Sequence, residues 1–251
     1  SCTTHNPGSW QKEIPEGKIT ELSFQEIKME PLIGNPYQIE VVGNTLLIAD
    51  DIEGKALLLY NMEDSSYLRM LNIGQGPEDV ITPLEIEATL KDSTLHVFQR
   101  RTSRCRTYDI NALSQGLVHM KNEIPLEGAD RFTASTDRYV TLGFYEQGIM
   151  STFNDSGKVM ECTDLFPDIS IDDISLRYKM FQGHLAYNES TGCLMYAPSF
   201  ASHILFYKQD GENNWIKQGA FRIGNGQLEN RMKERDRNAE LRNNDIRNCI
   251  D

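Results

Sequence analysis

A strand pattern that recurs about every fifty residues constrains this chain more than any other feature. Its clearest anchors, Ile73-Gly74-Gln75-Gly76 and Ile223-Gly224-Asn225-Gly226, stand 223 − 73 = 150 residues apart. A fixed period of this size in a strand-rich chain is the signature of a β-propeller, in which each repeat is one four-stranded antiparallel blade. The expected fold is therefore all-β. The fold does not name the job, because propellers carry many unrelated ones.

Each repeat has a recognisable second strand, at residues 45–50, 94–99, 138–143 and 192–197. These are short apolar runs rich in β-forming residues. Polar turn segments precede them: Gly43-Asn44, Lys91-Asp92-Ser93, Thr136-Asp137 and Glu189-Ser190-Thr191. Such residues make the tight connections of antiparallel pairs. Third strands follow at 56–60, 104–108, 150–153 and 203–207, each ending in an aromatic residue. The aromatics Tyr60, Tyr108, Phe153 and Tyr207 are spaced by 48, 45 and 54. Fourth strands are expected at 67–73, 117–124, 159–165 and 215–223. A β-sandwich also has short strands and frequent turns. The aromatic register and the recurring Ile-Gly-x-Gly favour the propeller.

Three divisions follow: a flexible tether over 1–13, blades over 14–226, and a polar helical or disordered tail over 227–251. Within the blade region, residues 18–27 alternate polar and apolar and should form a strand that completes the last blade. Closure of that kind removes a free sheet edge. The second Ile-Gly-x-Gly introduces a fifth blade that does not follow. Either a truncated C-terminus or a closed four-bladed ring with an appended tail accounts for it.

The bulk numbers exclude some jobs. No run of apolar residues is long enough to span a membrane as a helix. A net charge of −12 opposes binding to a phosphate backbone, so no nucleic-acid partner is expected. Of the five cysteines, Cys105, Cys162 and Cys193 read as small buried hydrophobes, and none is in a CxxC pair. Cys2 stands apart, with Ser1 before it and a polar run after it. That arrangement resembles the junction at which a bacterial lipoprotein precursor is cleaved and lipidated. It makes Cys2 a lipidation candidate and the only expected link to a membrane.

Ile73-Gly74-Gln75-Gly76-Pro77-Glu78-Asp79 resembles the Ile-Gly-x-Gly-Pro-Gly-Glu motif of the TolB-like six-bladed propeller lipoproteins of Bacteroides and relatives. The strand at 46–51 and the Cys-led N-terminus fit the same family, and the resemblance covers about residues 14–226. It implies a propeller in the bacterial cell envelope, periplasmic or on the surface, and no particular activity. The chain departs from the pattern at Glu78, where the motif has glycine, and in showing four blades of six. Gly74, Gly76, Pro77, Gly224 and Gly226 read as structural turn residues. Gly74 and Gly76 are expected to supply positive φ, and Pro77 to stiffen the turn.

No catalytic motif emerges. There is no G-x-S-x-G, no HExxH and no P-loop. His96 and His203 read as ordinary strand residues. No catalytic residue, cofactor or metal ligand is therefore assigned. Blade topology supplies one site expectation. The loops between second and third strands open on the same face as the links between blades. This gathers Asp50, Asp51, Glu53, Gln75, Glu78, Asp79, Gln99, Arg100, Arg101, Arg104, Glu146, Gln147, Ser199 and Ser202 on one face. Such mouths commonly take ligands. Arg100, Arg101 and Arg104 form its one basic cluster, available to an anion or to a neighbouring carboxylate. Asp50-Asp51 reads as a turn-capping pair or a cation site.

The leading expectation is a non-enzymatic envelope propeller that binds a protein, peptide or glycan through this face. One alternative is a metal-dependent, lactonase-like hydrolase using inner-strand acids such as Glu40, Glu85 and Glu87. Another is a structural component of an envelope assembly.

Overall fold

The computed structural model describes residues 11–12, 23–24, 26–135, 137–165, 171–200, 203–210 and 214–222. A two-residue strand, β1 (Gln11–Lys12), comes first. The first blade is β2 (Gln38–Val42), β3 (Thr45–Ile52), β4 (Lys55–Asn61) and β5 (Tyr67–Asn72). The second is β6 (Leu84–Thr89), β7 (Thr94–Gln99), β8 (Arg104–Asp109) and β9 (Met120–Pro125), with α1 (Ile110–Ser114) between β8 and β9. The third is β10 (Ala129–Ala134), β11 (Arg138–Gly143), β12 (Met150–Asn154) and β13 (Val159–Thr163). After α2 (Ile174–Phe181) comes the fourth: β14 (Gly183–Asn188), β15 (Cys193–Pro198), β16 (His203–Gln209) and β17 (Trp215–Arg222). Each sheet keeps sequence order, and β1 adds to the fourth in parallel with β17. The fold class is all-β, of four-stranded antiparallel propeller blades.

The chain divides into two compact units, and the strands of the third blade are shared between them. One unit takes Leu22–Thr141 and Thr152–Met160, and so holds blades 1 and 2 whole. The other holds Leu142–Ser151 and Glu161 onward, with β1.

In the first unit, period-2 alternation sorts each strand between two faces. Blade 1 turns Leu47, Ala49, Leu57, Leu59 and Met70 toward blade 2; this is its forward face. Blade 2 meets them with Leu84, Ile86, Leu95, Val97 and Tyr108 on its backward face. All of these are buried. Burial of one such aliphatic side chain stabilises by about 1.5–3 kcal/mol. The aromatics that close the third strands, Tyr60, Tyr108 and Phe153, are buried too. The β3–β4 hairpin turns on Glu53 at φ 55° and Gly54 at φ 72°. Two successive positive-φ residues make a type I′ turn, whose twist matches that of the strands it joins.

In the second unit, blade 4 buries Leu194, Tyr196, Leu205 and Tyr207 on its backward face. Its forward face carries Met195 and Phe206, paired across β15 and β16, with Ile204 paired to Phe221. The Phe206 and Phe221 rings meet edge to face at 5.5 Å.

Three expectations change. Of the strand expected over 18–27, the described residues Ser23, Phe24, Glu26 and Ile27 are not strand, and the others lie outside the described residues. The stretch between the third strand at 104–108 and the fourth at 117–124, expected only to link them, opens on helix α1: the Asp109 carboxylate accepts the Ala112 N–H at 3.0 Å. Asp173 caps α2 in the same way, accepting from Leu176 N at 2.9 Å. Both are N-caps, and each starts a helix where only strands were expected. Cys2, Gly224, Gly226, Ser202 and the tail over 227–251 lie outside the described residues.

Candidate functional site

Two groups of polar residues in the first unit are candidates: the innermost strands and the loop face. On the innermost strands, Gln38, Glu85 and Arg131 recur at spacings of 47 and 46, as do Glu40, Glu87 and Thr133. Except for Glu40, which accepts from Gln38 on its own strand, their side chains bond each strand to the next. Gln38 Oε1 accepts the Ile86 N–H at 3.0 Å. Glu85 Oε2 accepts the Phe132 N–H at 3.1 Å, and its other oxygen pairs with Arg131. Glu87 accepts the Thr133 hydroxyl and the Ala134 N–H, both at 2.8 Å. An innermost strand has one row of N–H groups with no strand beside it. Side chains of the preceding blade fill that row.

Burial sets the protonation of these acids. It pushes the Glu87 carboxyl up to about 8, against the Thr133 and Ala134 hydrogen bonds, and the neighbouring Glu40 and Glu85 charges push the same way. Burial raises Glu85 as well, despite its Arg131 partner. Glu40 is raised by burial, partly offset by the Gln38 amide that donates to it. The structure thus brings together three acids that the sequence shows as isolated positions. No group of three or more His, Cys, Asp or Glu suited to a metal ion is found among the described residues.

The loop face is tied together by hydrogen bonds. The Ile73 N–H reaches Gly54 O at 2.9 Å, joining the blade 1–blade 2 link to the β3–β4 turn. The Thr82 and Tyr37 hydroxyls donate to Asp51 at 3.2 and 3.4 Å. The Ile81 N–H donates to Gln99 Oε1 at 2.9 Å. Asp51, Gln75, Glu78 and Arg101 are exposed there.

Several of the expected site residues are engaged inside the protein. Asp50 is fully buried, so it presents nothing to a ligand. Its carboxylate accepts the N–H groups of Gly34, Asn35 and Asp51 at 2.6–3.1 Å. Arg69 lies 3.6 Å from it. In blade 2, Gln99 anchors its link in the same manner, through a single N–H. The basic cluster is dispersed into pairs: Arg100 with Asp130 at 2.8 Å, Arg104 with Glu123 at 2.8 Å. Only Arg101 of the three has no ion pair among the described residues. Arg106, which sequence reasoning passes over, bonds Glu123 and the Asp79 carbonyl. Burial alone would raise Glu123, but Arg106 and Arg104 hold it below the usual carboxylate range.

Gly74 and Gly76 are not in the positive-φ region. They are needed for space. A Cβ on Gly74 would meet Asp79 Oδ2 at 2.3 Å, and one on Gly76 at 2.8 Å. Asp79 Oδ2 instead accepts the Gly76 N–H at 2.9 Å, which closes the turn around a carboxylate. Pro77 is exposed beside it. His96 is a buried strand residue, its Nε2 3.1 Å from the Thr89 hydroxyl. Cys105 is buried and Cys162 and Cys193 half-buried, all three as free thiols. In the second unit, Glu146 is exposed, and its carbonyl accepts from Arg177 at 3.0 Å.

No family model and no curated protein matches the chain. Solved structures do. A protein of Bacteroides fragilis named as exported matches with a TM-score of 0.58 at 14% identity, over 81% of this chain and 56% of its own. A member of the DUF4221 family from Bacteroides vulgatus matches at 0.51 and 12%, over 76% and 58%. A streptogramin B lyase matches at 0.50 and 10%, over 78% and 58%. The chain spans under two thirds of the length of each. At these identities the likeness speaks for the fold alone, and the fold is the propeller blade array.

Proposed function

We propose that this chain is a binding module of an exported, TolB-like six-bladed propeller, held to the cell envelope through a lipid on Cys2. It takes a polar protein or peptide segment on the loop face of blades 1 and 2. The observation that carries this is a division of charge. Apart from exposed Arg101, the basic residues of that face are paired with acids: Arg69 with Asp50 and Glu53, Arg100 with Asp130, Arg106 with Glu123. Asp51, Gln75 and Glu78 stay exposed on loops already fixed by backbone bonds. A preformed acidic rim favours a basic segment over an anion. The Bacteroides fragilis neighbour named as exported supports the envelope reading.

The hydrolase alternative needs several carboxylate oxygens free to converge on one cation. Both oxygens of Glu85 and both of Glu87 are engaged by β10. A second alternative, a purely structural envelope component, predicts no ligand at all.

Fluorescence anisotropy with labelled oligolysine, set against calorimetry with a neutral oligosaccharide, tests the reading. Oligolysine should bind, weaken with salt, and lose most of its affinity to the Asp51→Lys/Glu78→Lys variant. Binding of the oligosaccharide alone would move the partner to a glycan; binding of neither would sink the module. Cys2→Ala in the expressing cell should shift the protein from the membrane to the soluble fraction.

A further inference from the structure

One end of the seam between blades 1 and 2 carries a cavity that neither the loop face nor the inner strands use. On blade 1, Thr45 pairs with Asn61 and Leu59 with Leu68. By the period of two, all four share the forward face with Leu47, turned toward blade 2. Blades 1 and 3 join their third and fourth strands by short turns, whereas blade 2 places α1 in that connection. Ile110 and Leu113 of α1 are buried in the same cluster as Leu59, which holds the helix in place as a wall. The cavity between this wall and blade 1 measures about 250 Å³, and Thr45, Leu59, Asn61, Leu68 and Ser114 help to line it. It sits at the start of β3, the end away from Asp51 and roughly 20 Å from it along the strand.

The lining narrows what could enter. Leu59 and Leu68 supply an apolar surface. No charged side chain lines the cavity among the described residues, so a phosphate, a carboxylate or an ammonium finds no counter-charge there. An acyl chain would strip water from the hydroxyl and amide groups without replacing their hydrogen bonds.

Those polar groups offer both senses of hydrogen bond. Asn61 Oδ1 is taken by the Glu63 N–H at 2.9 Å, which leaves the amide nitrogen to donate. The Ser114 hydroxyl donates to the Ile110 carbonyl at 2.9 Å, which leaves its oxygen to accept. The Thr45 hydroxyl can do either. A ligand hydroxyl also does both, and a sugar ring sets several of them around a C–H surface. The volume suits one ring, being below the roughly 300–1,000 Å³ of sites for drug-sized ligands.

We propose that this cavity is a binding site for one neutral sugar ring, its C–H face on Leu59 and Leu68 and its hydroxyls on Thr45, Asn61 and Ser114. The site is separate from the loop face and does not depend on it.

An amide-resolved NMR titration with the methyl glycosides of glucose, galactose, mannose and N-acetylglucosamine tests this. At least one should move the backbone amide signals of Thr45, Asn61, Leu68 and Ser114. Ser114→Trp, which fills the cavity from an exposed position on α1, should abolish those shifts while its circular dichroism matches the wild type. Asn61→Asp keeps the oxygen that receives the Glu63 N–H and removes the amide donor, so it should weaken binding several-fold. No response to any of the four glycosides would overturn the proposal. So would shifts confined to the loop-face residues Asp51 and Glu78, or shifts that persist in Ser114→Trp or stay at full strength in Asn61→Asp.

Discussion

Blades 1 and 2 use the same positions under opposite conditions. Ile86 on β6 is sealed between two sheets, while Ile39, its counterpart on β2, is more than half exposed. The two residues are chemically identical, so propensity and alternation cannot distinguish them. The difference comes from what packs on each position: blade 1 lies on Ile86. Inter-blade packing, more than any property of a single blade, decides what each position contributes.

The sharpest way to break this comparison is to place one charge at both positions. Ile86→Glu buries a carboxylate among Leu47, Leu57 and Val97 with no partner. It should destabilise by about 4 kcal/mol or more, or prevent folding. Denaturant unfolding gives the number. A loss under about 1 kcal/mol would mean that the blade 1–blade 2 interface is loose.

The second comparison is between Asp50 and Gln99, which sit toward the ends of β3 and β7. Asp50 receives three N–H groups and lies beside Arg69; Gln99 receives one. Asp50→Ala should therefore cost about 2–4 kcal/mol and Gln99→Ala about 1 kcal/mol. Equal losses would show that the count of bonds does not set the difference.

How far the sequence reveals all this depends on the range of the contact. The second and third strands can be read from residues near in sequence: alternation, polar turns and the aromatics Tyr60, Tyr108 and Phe153. The N-caps Asp109 and Asp173 are local signals too, but an aspartate suits a turn as well as a cap. Asp50 is unreadable because its partners, Gly34 and Asn35, sit in a link with no pattern of its own. The inner-strand bonds are harder still, since Gln38 and Ile86 are 48 residues apart. The trace they leave is the near-equal spacing of Gln38, Glu85 and Arg131, visible only once first strands are aligned as carefully as second strands. The glycines of Ile-Gly-x-Gly read as structural from sequence, but the reason is the Asp79 carboxylate and not positive φ.

A pH experiment sharpens the contrast between Gln38 and Glu87, which do the same job with and without an ionisable group. Burial raises the folded-state pKa of Glu87 to about 8, above its unfolded value of 4.5. Between those values the folded chain holds a proton that the unfolded chain has released. Stability should thus be full below pH 4.5 and fall as pH rises toward 8, by up to about 1.4 kcal/mol per unit. Glu87→Gln should remove that slope. Its amide can still accept from the Ala134 N–H, as Gln38 accepts from Ile86. The variant should match the wild type near pH 4.5 and exceed it at pH 8. Glu40 and Glu85, also raised by burial, leave a residual slope of the same sign. An unchanged pH profile would show that Glu87 is not the group responsible.

The smallest effect should come from the exposed member of the first pair. Ile39→Glu places in solvent the charge that Ile86→Glu buries. In dilute solution it should change stability by no more than about 0.5 kcal/mol, the usual range for surface substitutions. Denaturant unfolding of the two variants side by side checks this. A loss for Ile39→Glu close to that for Ile86→Glu would show that exposure does not separate the two positions, although Ile39 is more than half exposed and Ile86 is sealed.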